Sequence, residues 1–214
     1  MKNINSLIFC VLLLVLGAFA GPHALASTIL DVNLDTRSLI GNPLCPCDIN
    51  YQLTHGDPTS INSVNISNIG LGGGSPQGLA DVIGGVSGDL SNSVVLNTAS
   101  FLNDFVQRFT PGDFLRFTLS FSTNYSGSGA PDRLTFAILA NGVEIPTTGP
   151  GDALLGIDLV PSSLVETYGA DPTRTGLVLG PPQVVPEPAS FLLIGTALLG
   201  ISALARRIRR TATK

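Results

Sequence analysis

The middle of the chain alternates between apolar and polar residues in short runs, as β-strands with one buried face do. In the clearest run, at 114–121, every second residue from Leu115 onward is leucine or phenylalanine. Asn141-Gly142 predicts a type I′ hairpin turn into a strand at 143–145. Further strands are predicted at 28–34, 48–53, 61–69, 82–83, 94–96, 134–139 and 154–159.

One segment departs from this alternation. From Ser100 onward, apolar residues recur at the helical spacings i, i+1, i+4, i+5 and i+8, at Phe101, Leu102, Phe105, Val106 and Phe109. The spacing predicts a helix of about two to three turns that packs its aromatic stripe on the sheet. Thr98 or Ser100 would cap this helix, and Pro111-Gly112 would end it.

Eight or nine short strands in turn-rich sequence are typical of β-sandwiches. The predicted fold class is therefore all-β: a single, jelly-roll-like β-sandwich ectodomain with one short helix. We place this ectodomain at 27–174, followed by a Pro/Gly-containing linker at 175–184.

Residues 1–26 have the order of a cleavable signal peptide. Lys2 precedes an uncharged apolar run at 7–20, and Ala24 and Ala26 supply the small residues of a cleavage site. The run has about 14 residues, fewer than the roughly 20 that span a bilayer. We expect cleavage between Ala26 and Ser27 and therefore Sec-type export, with an uncleaved anchor as the alternative.

The C-terminal region combines an extended motif, an apolar run and a basic cluster. The motif is formed by Val185, Pro186, Glu187 and Pro188, and an uncharged run follows at 189–205. The basic cluster comprises Arg206, Arg207, Arg209 and Arg210. A helix of this length reaches about 26 Å, close to a hydrocarbon core of about 30 Å. We predict a transmembrane helix at 189–205 with cytoplasmic arginines and an ectodomain outside the cytoplasm.

Together, the three parts resemble a PEP-CTERM protein-sorting domain over residues 185–210. The resemblance implies processing by an exosortase-type enzyme, a membrane-embedded cysteine transpeptidase-like protein, in a Gram-negative host that makes exopolysaccharide. It also implies that the tail is removed, whereas a permanent anchor is the alternative. Residues 35–37, the predicted short aromatic helix and residues 153–159 give the ectodomain a similarity to other PEP-CTERM ectodomains of similar length, which implies no activity.

Charge is distributed unevenly along the chain. Residues 27–188 contain all fifteen acidic residues and only five of the eleven basic residues. The formal net charge of this region is therefore −10. This region contains no lysine. Such a charge argues against binding to nucleic acid or to anionic lipid headgroups.

Two cysteines, Cys45 and Cys47, remain after the expected processing. Three interpretations are open: a local disulfide, free thiols, or a metal site completed by His55 and an aspartate, Asp48 or Asp57. An exported protein favours the disulfide. The C-x-C spacing is shorter than the spacing of structural zinc sites and argues against a metal.

Catalytic motifs are not evident in the ectodomain sequence. His55 is its only histidine and lies in a predicted turn, and there is no G-x-S-x-G sequence. The Gly-rich run at 71–75 lacks the G-K-[ST] of a phosphate loop. We therefore predict that the protein is not an enzyme and that it binds no cofactor.

Three functional hypotheses follow. The first is an exported surface or matrix protein with a structural or interaction role linked to the envelope or to exopolysaccharide. The second is a carbohydrate-binding module, although the ectodomain has no tryptophan and three tyrosines, Tyr51, Tyr125 and Tyr168. The third is a secreted hydrolase, which ranks last.

Overall fold

The described part of the chain folds into two antiparallel β-sheets. The computed structural model describes residues 28–127 and 129–186. The all-β prediction is confirmed, because helical structure in these residues is limited to 3₁₀ turns at Arg37–Leu39 and Pro150–Asp152 and one α-helical turn, α1, at Pro172–Thr175.

The strands are distributed almost equally between the sheets. From edge to edge, the first sheet contains β13 (Gln183–Pro186), β1 (Thr28–Asp35), β8 (Phe114–Phe121), β3 (Ser63–Gly70), β6 (Val94–Asn97) and β5 (Val86–Gly88). The second contains β12 (Val165–Thr167), β11 (Leu155–Asp158), β9 (Arg133–Ala140), β2 (Cys47–Thr54), β7 (Leu102–Thr110) and β4 (Ser75–Ile83). A short strand, β10 (Val143–Glu144), pairs with β9 after the predicted turn.

Strand pairing follows a nested order. In the first sheet β1 pairs with β8 and β3 with β6, and in the second β2 pairs with β7. The first eight strands are therefore one long hairpin, bent between β4 and β5, whose successive pairs alternate between the sheets. This is jelly-roll connectivity. It places strands distant in sequence beside each other, such as β1 and β8.

The core lies between the inner faces of the two sheets. Alternation of apolar and polar residues in β1, β2 and β8 turns every second side chain inward, and the outward residues at the start of β2 are themselves buried. Phe117 of the first sheet meets Tyr51 and Phe136 of the second edge-on, with ring centroids 5.3 Å apart in both pairs. Burial raises the pKa of Tyr51, whose hydroxyl has no hydrogen-bond partner among the described residues.

The helix predicted at 100–109 is wrong, because residues 102–110 form β7, an inner strand between β2 and β4. Asn103, Phe105, Gln107 and Phe109 are its inward-facing residues. The Asn103 amide donates to the Leu53 carbonyl at 3.1 Å, and the Gln107 amide donates to the Gly78 carbonyl at 3.0 Å. Two of the four inward positions are polar, so apolar and polar residues do not alternate along β7. The outward apolar residues Leu102 and Val106, together with Phe105 and Phe109, then have the spacing of a helix.

The linker predicted at 175–184 is also corrected. Leu177 and Leu179 are buried in the core, and the Ala170 N–H donates to the Leu179 carbonyl at 2.9 Å. Beyond them, β13 pairs with β1. The segment is therefore part of the folded domain, and its prolines and glycines lie in turns.

Two predicted segments lie outside the described residues: the signal peptide at 1–26 and the transmembrane helix at 189–205. Within 28–127 and 129–186, no helix is long and apolar enough to cross a membrane.

Candidate functional site

The C-terminal strand β13 carries the start of the predicted sorting motif. Val185 is paired with Asp31 and Pro186 with Leu30, at the edge of the first sheet. The β-branched residues Val184 and Val185 favour extended chain, and proline is tolerated in an edge strand. Of the predicted motif, Val185 and Pro186 are therefore in the folded domain. Glu187, Pro188 and the four arginines lie outside the described residues, as do Ala24, Ala26 and Ser27.

The described chain begins and ends at the same end of the sandwich. Thr28 is paired with Phe121 on one side of β1, and Pro186 is paired with Leu30 on the other. We call this the terminal end. It also carries the loops at 55–62, 98–101, 122–132 and 159–164, because the strands that border them all end there.

A groove of 560 Å³ lies on the outer face of the first sheet. Strand β1 contributes Asp31 and Asn33, and β8 contributes Phe114, Arg116 and Thr118. Asn68 of β3 completes the polar lining. The β1 and β8 side chains share the outer face because they alternate with the core residues of the same strands. Asn68 lies at an irregularity of β3, where its φ is +53° and the register with β8 shifts.

Some of the groove's polar groups are fixed by one another. The Thr118 hydroxyl donates to the Asp31 carboxylate at 2.7 Å, and the Asn68 amide donates to the Thr118 hydroxyl at 3.2 Å. The Arg116 guanidinium carbon lies 5.3 Å from the centroid of the Phe114 ring, within cation–π range. Within the described residues, neither the Asn33 amide nor the Arg116 guanidinium has a hydrogen-bond or ion-pair partner.

A smaller polar depression continues the groove toward the end opposite the terminal end. Asp35 and Arg37 pair there, beside Asn33 and Asp113. Hydrogen bonding from Arg37 lowers the pKa of Asp35 to about 2. The surface therefore combines fixed charges, free amide donors and acceptors, and one aromatic ring.

Such a surface suits a polyhydroxylated ligand. Amide, carboxylate and guanidinium groups can bond neighbouring hydroxyls in pairs, while a ring offers an apolar face. No local sequence pattern indicates this groove. The outward positions of 28–34 and 114–121 are visible in the sequence, but the pairing of β1 with β8 is not.

A buried polar network ties the loops of the terminal end together. The Asp132 carboxylate accepts from the N–H groups of Gly56 and Asp57 at 2.8 and 3.2 Å, and from the Asn62 amide at 2.8 Å. The Asp57 carboxylate accepts from the Ser126 N–H at 2.7 Å, across to the other loop. These bonds hold 55–62 against 122–132.

The Asp57 carboxylate is held in its ionised form. The backbone bond from Ser126, with hydroxyl donors from Thr59, Ser126 and Ser60, holds its pKa well below the ordinary value of 3.8. Because the folded-state pKa is the lower one, ionisation favours folding above pH 3.8, and this contribution is lost as the pH falls through the folded-state pKa.

Cys45 and Cys47 form a disulfide. His55 lies at the far end of β2, about 26 Å from Cys47 at 3.3 Å per residue. Its Nε2 lies 2.6 Å from the Asp57 carbonyl. Asp48 pairs instead with Arg108, at 3.3 Å. The metal site considered from the sequence is therefore not assembled, and the described residues contain no group of three or more His, Cys, Asp or Glu able to hold a metal.

Comparison with protein families identifies residues 184–210 as a PEP-CTERM protein-sorting motif. The chain thus carries the motif predicted from its sequence, starting one residue earlier than expected. The motif is that of an exported protein, made as a membrane-associated precursor and sorted to the cell surface by an exosortase. No curated protein and no solved structure matches the chain significantly.

Proposed function

We propose that the β-sandwich is the cargo of the sorting motif: a surface or extracellular-matrix protein with a structural or interaction role. The observation that carries this proposal is the overlap of the motif with β13 at 184–186. Because the motif begins inside the sandwich, the enzyme that recognises the motif also determines where this domain is delivered.

The proposed route starts with Sec-type export through the segment at 1–26. The apolar run at 189–205 then holds the precursor in the inner membrane, with the arginine cluster in the cytoplasm and the sandwich outside. Exosortase processing releases the domain from this anchor to the cell surface or the matrix.

We further propose that the domain is not an enzyme. Arg133 lies between Asp158 and Glu166, at 2.7 and 2.5 Å, and lowers the pKa of Glu166. A neutral acid of raised pKa, as a glycosidase needs, is not favoured there. His55 is engaged by a backbone carbonyl. These groups support the fold more readily than turnover.

Cell fractionation tests the proposed delivery. We expect the domain in the envelope or matrix fraction of an exporting host, with its N-terminus at Ser27. Full-length protein in the soluble cytoplasmic fraction, with none in the envelope or matrix, contradicts the proposal.

A second candidate function is carbohydrate binding in the groove of the first sheet. The unpartnered Asn33 and Arg116 side chains beside Phe114 favour it. Jelly-roll domains often carry lectin sites, which is an argument from fold analogy alone. The exopolysaccharide of the producing cell is the proposed ligand.

Replacement of Arg116 by alanine is expected to weaken glycan binding about tenfold, the equivalent of about 1.4 kcal/mol. The arginine would donate to sugar hydroxyls, and these bonds are lost. Binding of the exported protein to a glycan array and to purified exopolysaccharide measures the effect. Arg108→Ala, on the outer face of the other sheet, is the matched control and should bind as wild type. Equal binding by all three proteins would remove the groove from consideration.

A further inference from the structure

The terminal end of the sandwich exposes large apolar side chains. Three lie in its loops: Ile61, Phe101 and Leu164, with 75%, 74% and 60% of their surface exposed. Ile83 and Val185, at strand ends nearby, are exposed as well. Three of the four loops therefore present a large exposed apolar residue, and the loop at 122–132 presents none among its described residues.

These loops form one connected surface. The His55 N–H donates to the Phe101 carbonyl at 2.8 Å, which joins the loops at 55–62 and 98–101. The Asn124 amide donates to the Ile61 carbonyl at 2.8 Å. The Leu159 N–H donates to the Asp132 carbonyl at 2.8 Å and brings in the loop at 159–164. The apolar residues are therefore held on a common support.

The loops of this surface expose no carboxylate in the part of the chain that the structure describes. Across the described residues of these four loops, the only carboxylates are Asp57 and Asp132, and both are buried in the polar network. The opposite end is different, because Asp35, Arg37 and Glu144 are all exposed there. In a region with a net charge of −10, the described loops of one end thus carry no exposed carboxylate, and the charges nearest to them, Arg133 and Asp158, are paired with each other.

The chain leaves the sandwich at this end, next to its apolar run. From Pro186 to Ala189 there are three Cα–Cα steps, a reach of about 11 Å at most. The headgroup layer of a bilayer is about 5–8 Å thick on each side. If the run at 189–205 enters a membrane while β13 stays paired, the loops of the terminal end reach the headgroups.

Resting on the proposed membrane-anchored precursor, we propose that the terminal end docks on the outer surface of the bilayer that its own tail enters. Ile61, Phe101 and Leu164 insert among the headgroups of a zwitterionic phospholipid surface. Apolar side chains supply the contact, as in other interfacial anchors. The negative charge of the domain disfavours an anionic surface.

This orientation has two consequences for the precursor. The groove around Asn33 and Arg116, on the side of the sandwich, stays clear of the docked end and open to ligands. The residues that follow Pro186 are held at the membrane face, within reach of a membrane-embedded enzyme.

Tryptophan fluorescence tests the docking, because the chain has no tryptophan of its own. Phe101→Trp places a unique probe on the terminal end. Val143→Trp places one at the opposite end, where Val143 is 67% exposed. Each full-length variant is reconstituted in phosphatidylcholine vesicles whose lipids are brominated in the upper part of the acyl chain. We expect the F101W emission to shift to shorter wavelength and to be quenched by bromine, while the V143W emission does neither.

Vesicle flotation separates this inference from the proposed function. A protein that does not float with the vesicles contradicts the membrane-anchored precursor itself. A protein that floats, with F101W as poorly quenched by bromine as V143W, overturns the docking alone. A blue shift of F101W that appears without lipid and grows with protein concentration also overturns it, since a second copy of the chain then covers the surface.

Discussion

Replacing Phe117 by alanine is expected to lower the free energy of unfolding by about 3–5 kcal/mol, the usual cost of deleting a buried aromatic side chain. Phe117 bridges the two sheets, with its ring 5.3 Å from those of Tyr51 and Phe136. These neighbours belong to paired central strands, which cannot collapse into the cavity. Because native domains are stable by about 5–15 kcal/mol, the loss is a large fraction of the total. Chemical denaturation measures it.

Phe101→Ala is the matched control for this prediction. It removes the same side chain from a loop where the ring is exposed, so we expect a change within about 0.5 kcal/mol. If both variants lost the same stability, Phe117 would not occupy the interface between the sheets.

The sequence predicted the strands best where one face is wholly apolar. The run at 114–121 became β8 with the same bounds, since leucine and phenylalanine occupy each inward position. Strand β7 has the same alternation but places Asn103 and Gln107 inside. These amides bond backbone groups of other segments, and those partners are known only after the strands have assembled. The helix prediction failed for that reason.

The candidate site could not be predicted from the sequence, because it depends on pairing between strands that are distant in the chain. The groove needs β1 beside β8, strands that are separated by about half of the domain in sequence. Likewise, nothing local in the Pro/Gly-rich segment at 175–186 indicates that Leu177 and Leu179 are buried or that β13 pairs with β1. The sorting motif was recognised from sequence because its parts are contiguous.

Glu187→Ala is expected to leave the protein at full length and retained in the membrane. Glu187 is the only charged residue between Arg174 and Arg206, so it provides the single charge that an enzyme at the outer membrane face can recognise there. Pro186→Ala should act in the same direction, because proline fixes φ and keeps the segment extended at the point where β13 ends. C-terminal mass spectrometry, in a host that carries the exosortase, measures the outcome as the fraction of protein that still ends at Lys214.

The structure supplies a control for processing that the sequence alone does not. Gln183 is exposed in β13 but precedes the family match at 184–210, so Gln183→Ala should be processed as wild type is. Replacing the four arginines by glutamine should act differently, because it weakens the topology signal and not the recognised segment. An intact Lys214 on exported wild-type protein would contradict removal of the tail and leave the run at 189–205 as a permanent anchor. Under that outcome the sandwich would stay within about 11 Å of the bilayer, since three residue steps separate Pro186 from Ala189.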